Sequence, residues 1–98
     1  MQVNLSNNYL GPEGAKAIAS GIRDNGSMTA VNVLCNRLDV ESANMLAEAA
    51  KTKGISLCGI ETDATTADLS HQGLGPTDAI LVANDLTVRA SVTQVLAF

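Results

Sequence analysis

Aromatic side chains are almost missing: Tyr9 and Phe98 are the only two in 98 residues. A core without rings has to be assembled from the Ala, Val, Leu and Ile that dominate the 46 % hydrophobic content, which suits thin, regularly packed layers. Basic residues are also scarce, 6 against 10 acidic ones for a net charge of −4. The six (Lys16, Arg23, Arg37, Lys51, Lys53 and Arg89) are scattered. Nucleic acid and anionic membrane surfaces, which demand clustered Lys and Arg to displace counterions, are therefore excluded as main partners. No apolar run approaches the roughly 20 residues that span a bilayer. Residues 1–20 have neither the basic nor the apolar region of a signal peptide. Two cysteines, Cys35 and Cys58, are too few for a disulfide scaffold and lack metal-ligand spacing. They read as reduced, partly buried thiols of an intracellular, cytoplasmic protein, with a redox pair as the alternative.

What the chain does have is repetition. VNLSNNYL (Val3 to Leu10), VNVLCNRL (Val31 to Leu38) and ADLSHQGL (Ala67 to Leu74) all fit apolar-x-apolar-x-x-(Asn/Gln)-x-Leu. The amide position holds Asn8, Asn36 and Gln72. Successive units start 28 and then 36 residues apart. Each is followed by apolar residues at i, i+3, i+4 and i+7: Ala15, Ile18, Ala19 and Ile22; Ala43, Leu46, Ala47 and Ala50; Ala79, Val82, Ala83 and Leu86. That spacing is one stripe of an amphipathic helix. Pro12 and Pro76 stand at the first helical turn, where a missing N–H costs nothing. The pattern predicts strands near 3–5, 31–33 and 67–69, and helices near 12–23, 40–53 and 76–88.

Met28, Val31, Val33, Asn36 and Leu38, set as L-x-x-L-x-L-x-x-N-x-L, together with Leu10-Gly11-x-x-Gly14-x-x-x-Ile18, resemble the leucine-rich repeats of the ribonuclease-inhibitor type. The resemblance implies a right-handed α/β solenoid: a short parallel sheet inside, helices outside, about three repeats. Their limits fall near 3–30, 31–59 and 60–91 within a single domain over 1–98. Asn8, Asn36 and Gln72 would form a ladder of amides satisfying the turns that leave the strands.

Two departures qualify this expectation. Leu57-Cys58-Gly59-Ile60 matches the lead-in to the second strand, yet Ala67-Asp68-Leu69 arrives 7 residues after Ile60. ETDATT, Glu61 to Thr66, is therefore an insertion expected to project as a loop or to form a short hairpin with 57–60. Residues 92–98 start a partial fourth strand, and no polar caps cover either end. Such uncapped strands suit a fragment of a longer array or a homo-oligomer paired edge to edge.

Chemical motifs are weak beside this regularity. GPEG at Gly11–Gly14 has neither P-loop nor dinucleotide-site spacing, and it places Glu13 where a phosphate would sit. His71, the sole histidine, follows Ser70, but neighbours along a strand or turn point different ways and make no catalytic pair. Glu61, Asp63, Asp68 and Asp78 lack the spacing of an EF-hand and read as solvated acids. The chain is thus expected to be non-enzymatic, without catalytic residues, metal or cofactor. The resemblance implies a protein-interaction scaffold binding a protein partner through the strand-to-helix loops and a concave strand face, where Asn4, Ser6, Asn32, Leu34, Asp68 and Ser70 would stand. Self-assembly through the terminal strands is one alternative; regulation of a small GTPase, implied only by the family analogy, is another.

Overall fold

The computed structural model of the chain describes residues 2–69 and 73–96. The elements run β1 (Gln2–Asn4), α1 (Gly11–Asp24), β2 (Ala30–Asn32), α2 (Val40–Lys53), β3 (Thr66–Asp68), α3 (Pro76–Val88) and β4 (Gln94–Leu96). Helices lie under the three apolar stripes, and each of the first three strands begins one residue before its expected start. Local chemistry sets their ends. The Asp39 carboxylate caps α2 by accepting the Ser42 amide at 2.8 Å, as a helix N-terminus with orphan donors requires. Gly54, at φ 67°, closes it in the left-handed conformation and donates its N–H to the Ala50 and Lys51 carbonyls.

Helix α2 packs between α1 and α3. Ala15, Ala19 and Ile22 of α1 and Ala43, Leu46 and Ala50 of α2 are buried. With Val31, Val33, Leu34, Ile55, Leu57 and Leu81 they make one aliphatic core. Each fully buried Leu or Ile there contributes about 1.5–3 kcal/mol.

The solenoid is not formed. The molecule measures 32 × 29 × 19 Å and carries two separate two-stranded parallel sheets, β1–β2 and β3–β4, in place of one continuous sheet. β1 and β2 pair in the register Val3↔Val31, and β3 and β4 in the register Ala67↔Val95. Beyond β2 the sheet continues only as two bridges, parallel at Ala30↔Ser56 and antiparallel at Asn32↔Cys58. Of the two forms expected for the insertion, the hairpin with 57–60 is absent; Glu61 to Ala64 form a turn, exposed at Glu61 to Asp63, in which the Ala64 amide donates to the Glu61 carbonyl at 3.2 Å.

A polar plug from α3 explains the break. The segment 54–60 bonds to the β2 region through Val31 N–H to Ser56 O (2.8 Å), Val33 N–H to Leu57 O (3.0 Å) and Ser56 N–H to Thr29 O (3.2 Å). The amides of Leu57 and Cys58, which a following strand would have engaged, donate to the fully buried Asp85 carboxylate at 2.8 and 3.0 Å. The Ser56 hydroxyl donates to Asp85 Oδ2 at 2.5 Å and accepts the Ile60 amide at 2.8 Å. Arg89, one turn further along the chain, gives Nε–H to the Ile60 carbonyl, Nη1–H to Gly54 and Nη2–H to Thr29. With these backbone groups satisfied by side chains, β3 has nothing to pair with there. It lies beside β4, and a cavity of about 260 Å³ separates 58–61 from 64–69.

The plug also corrects the facing of α3. Ala79, Ala83 and Leu86 of the apolar stripe are exposed and Val82 is half-buried. The face turned inward carries Asp78, Leu81, Asn84 and Asp85.

Candidate functional site at the strand-to-helix rim

The turns that leave β1 and β2 have one backbone design. Asn7 and Tyr9 in the first, and Cys35 and Arg37 in the second, all adopt left-handed conformations, with φ of 59°, 51°, 60° and 54°. The third turn meets the same requirement with glycine: Gly73, at φ 61°, occupies the place of Tyr9 and Arg37. For a residue with a Cβ this conformation costs about 1–2 kcal/mol. The first two turns thus carry large side chains where the third uses the unstrained residue.

Asn36 locks both turns. Its buried carboxamide oxygen accepts the Asn8 amide at 2.7 Å and the Leu10 amide at 3.4 Å. Its Nδ2 donates to the carbonyls of Leu5 (2.9 Å), Val33 (3.0 Å) and Leu34 (3.3 Å). Asn8 serves only its own turn, donating to the Leu5 and Ser6 carbonyls. Gln72 lies outside the described residues, as do Ser70 and His71.

Because the two turns are held side by side, equivalent positions meet. The Arg37 guanidinium carbon lies 4.5 Å from the centroid of the Tyr9 ring, within cation–π range. Tyr9 is 69 % exposed. The pair stands at the rim of a cavity of about 420 Å³ that extends to the start of α3, reaching Cys35, Pro76, Thr77 and Asp78. On its floor the buried Asp78 carboxylate accepts the Cys35 amide at 3.0 Å and the Gly75 amide at 2.8 Å. It thereby ties the second turn to α3. Burial, and next the Asp78 charge, push the Cys35 thiol above its ordinary pKa of 9.0, which disfavours the thiolate form.

The strand face is less uniform than its sequence suggests. Asn4 and Asn32 are register partners, each turning its carboxamide oxygen to the amide two residues on, Ser6 and Leu34, at 3.1 Å. Ser6 also donates its hydroxyl to Asn4 at 2.8 Å. Leu34, expected on the binding face, is fully buried in the core. Asp68 is exposed but belongs to the β3–β4 sheet, not to the row containing Asn4 and Asn32. Of the four acids weighed as cation ligands, Asp78 is engaged as described, and Glu61, Asp63 and Asp68 are exposed. Among the described residues no group of three or more His, Cys, Asp or Glu side chains is placed to hold a metal ion.

Tyr9 and Arg37 were not singled out by the sequence pattern. The signal was present in the alignment of Tyr9, Arg37 and Gly73 at one repeat position, since glycine there marks a left-handed backbone that the other two must share. Among the described residues no helix is long and apolar enough to cross a membrane. No family model, curated protein or solved structure matches the chain.

Proposed function

We propose that this chain is a non-enzymatic protein-binding module, and that it docks its partner through the strand-to-helix rim centred on Tyr9 and Arg37. The observation that carries this reading is the stacked pair itself. Two large side chains occupy left-handed positions that a third copy fills with glycine, and they remain at the surface instead of joining the core. Strain kept at an exposed site, without a packing return, points to use of the side chains. Tyrosine and arginine are also the residues over-represented among interface hot spots. The two turns held side by side, which bring Tyr9 and Arg37 together at the surface, support the same class of function. So do the raised Cys35 thiol, unsuited to nucleophilic chemistry, and two free cysteines, which suit a reducing intracellular compartment.

Site-specific photocrosslinking tests the proposal. A benzophenone-bearing phenylalanine analogue is placed at position 9, and at Lys16 on the exposed side of α1 as a control. The expected result is a discrete, identifiable protein adduct from position 9 that unlabelled wild-type chain competes away and the Arg37→Gly variant does not. Equal labelling from both positions would refute rim docking.

A further inference from the structure

The rim cavity has a chemistry that narrows what enters it. Among the described residues no carboxylate or carbonyl is hydrogen-bonded to the Arg37 guanidinium, whose carbon lies over the Tyr9 ring. With its carbon over the ring, the guanidinium keeps N–H donors that have no acceptor among the described residues. An arginine placed over an aromatic ring has less freedom to lose, so a planar bidentate acceptor forfeits less side-chain entropy on binding it.

Three observations select the acceptor. The guanidinium fork matches carboxylate and phosphate alike. The buried Asp78 carboxylate on the floor of the cavity repels a phosphate dianion more than a carboxylate monoanion. A cavity of about 420 Å³ is within the range that encloses a small ligand or a side chain with its flanks. The two Asp78 oxygens accept the Cys35 and Gly75 amides, so the carboxylate is held to the floor by the backbone.

Resting on the protein-binding reading above, we infer that the Tyr9–Arg37 cavity recognises a side-chain carboxylate of a peptide segment in the partner. The glutamate or aspartate enters beside Pro76 and Thr77 and pairs edge-on with Arg37. Tyr9 acts as the platform that orients the guanidinium; the pairing itself belongs to Arg37.

The test uses blocked tripeptides, acetyl-Ala-Glu-Ala-amide and its Gln counterpart, titrated into the isotopically labelled chain and followed through backbone amide and arginine side-chain NMR signals. The Glu peptide is expected to give saturable shifts confined to the first two turns and the start of α3. The Gln peptide should bind roughly tenfold more weakly, the difference between a charged and a neutral hydrogen-bond acceptor. Arg37→Gly, which keeps the backbone conformation free of strain, should abolish the shifts. Arg37→Lys should weaken binding because it lacks the fork, and Tyr9→Gly should weaken it by removing the ring that orients the guanidinium. Equal binding of the two peptides, shifts that persist in Arg37→Gly, or the absence of saturable shifts at millimolar peptide would each overturn the inference. The two readings separate cleanly. A specific crosslink from position 9 without Glu over Gln discrimination refutes carboxylate recognition alone. Discrimination without any crosslinked protein refutes the docking module and leaves a carboxylate pocket.

Discussion

Replacing Asp85 with alanine removes the group that closes the edge of segment 54–60, and the cost can be worked from its partners. The carboxylate receives four donors: the Ser56 hydroxyl, the Leu57 and Cys58 amides and Asn84 Nδ2. The hydroxyl can rotate to another acceptor, but the two backbone amides cannot. The Cys58 amide keeps the Ser56 hydroxyl oxygen as an acceptor at 3.2 Å, whereas the Leu57 amide is left buried without a partner, at about 1–3 kcal/mol. The other lost hydrogen bonds add about 1 kcal/mol each, and relief from holding a carboxylate in the core offsets part of the sum, so the net loss is about 2–3 kcal/mol. A domain of this size has about 5–15 kcal/mol in total, and about 4–8 °C of melting temperature goes with each kcal/mol. Asp85→Ala should therefore melt about 8–24 °C lower in a circular-dichroism scan. Amide exchange at Leu57 and Cys58 should accelerate well before global unfolding. Asp85→Asn should also destabilise, since its NH₂ group meets either the Ser56 and Cys58 donors or the Leu57 amide. A variant that melts within about 4 °C of wild type, with exchange at Leu57 and Cys58 unchanged, would refute the role assigned to this carboxylate.

Other consequences can be measured separately. Gly14→Ala gains helix propensity but sets a Cβ 2.9 Å from the Leu10 Cβ; urea midpoints should show a net loss of about 1–2 kcal/mol, and a gain in stability would contradict the packing. The Ser42 hydroxyl and then its amide hold the Asp39 carboxyl below its ordinary 3.8. The ionised cap therefore contributes above that value, and its contribution is lost as pH falls through the lowered one. Denaturation of wild type and Asp39→Ala should differ near about pH 6 and converge near about pH 2; a gap independent of pH would contradict this. Burial, reinforced by Asp85, drives the Cys58 thiol strongly upward, and Cys35 is raised less protected by burial. A thiol reagent at neutral pH should modify Cys35 slowly and Cys58 only on unfolding, whereas rapid labelling of Cys58 in the folded chain would contradict its burial.

The positions of the helices were legible because their apolar spacing is local. The i, i+3, i+4, i+7 sets place α1 and α2, and the inward faces of both carry the expected Ala15, Ala19, Ile22, Ala43, Leu46 and Ala50. For α3 the same rule chose Ala79, Ala83 and Leu86, all exposed. Its true inward face contains Asp85, and Arg89 is buried just past its end; hydropathy assigns both to water. Their burial is compensated by backbone groups about 30 residues upstream, at Leu57, Cys58, Gly54 and Ile60, and no local pattern reveals such partners. The longer 36-residue spacing showed that something was inserted, but not that the sheet would divide there. At the site, Asn36 stood out as a repeated amide. Tyr9 and Arg37 did not, because a left-handed φ leaves no trace in residue type unless glycine fills the position. Leu34 read as a strand-face residue because it alternates with Val33, yet the chain turns at that point and both side chains enter the core.

The plug on segment 54–60 also imposes an order on synthesis and folding. The Asp85 carboxylate lies 28 residues downstream of the Leu57 amide it protects. Until α3 has emerged and docked, 54–60 is a naked strand edge, beside a core that β1, α1, β2 and α2 can already begin to assemble. An edge in that condition recruits other chains. Truncation before α3, or slow docking of that helix, would accordingly convert an ordinary folding intermediate into an aggregating one. In this molecule the residue that ends the sheet is also its chaperone in cis, and it arrives late.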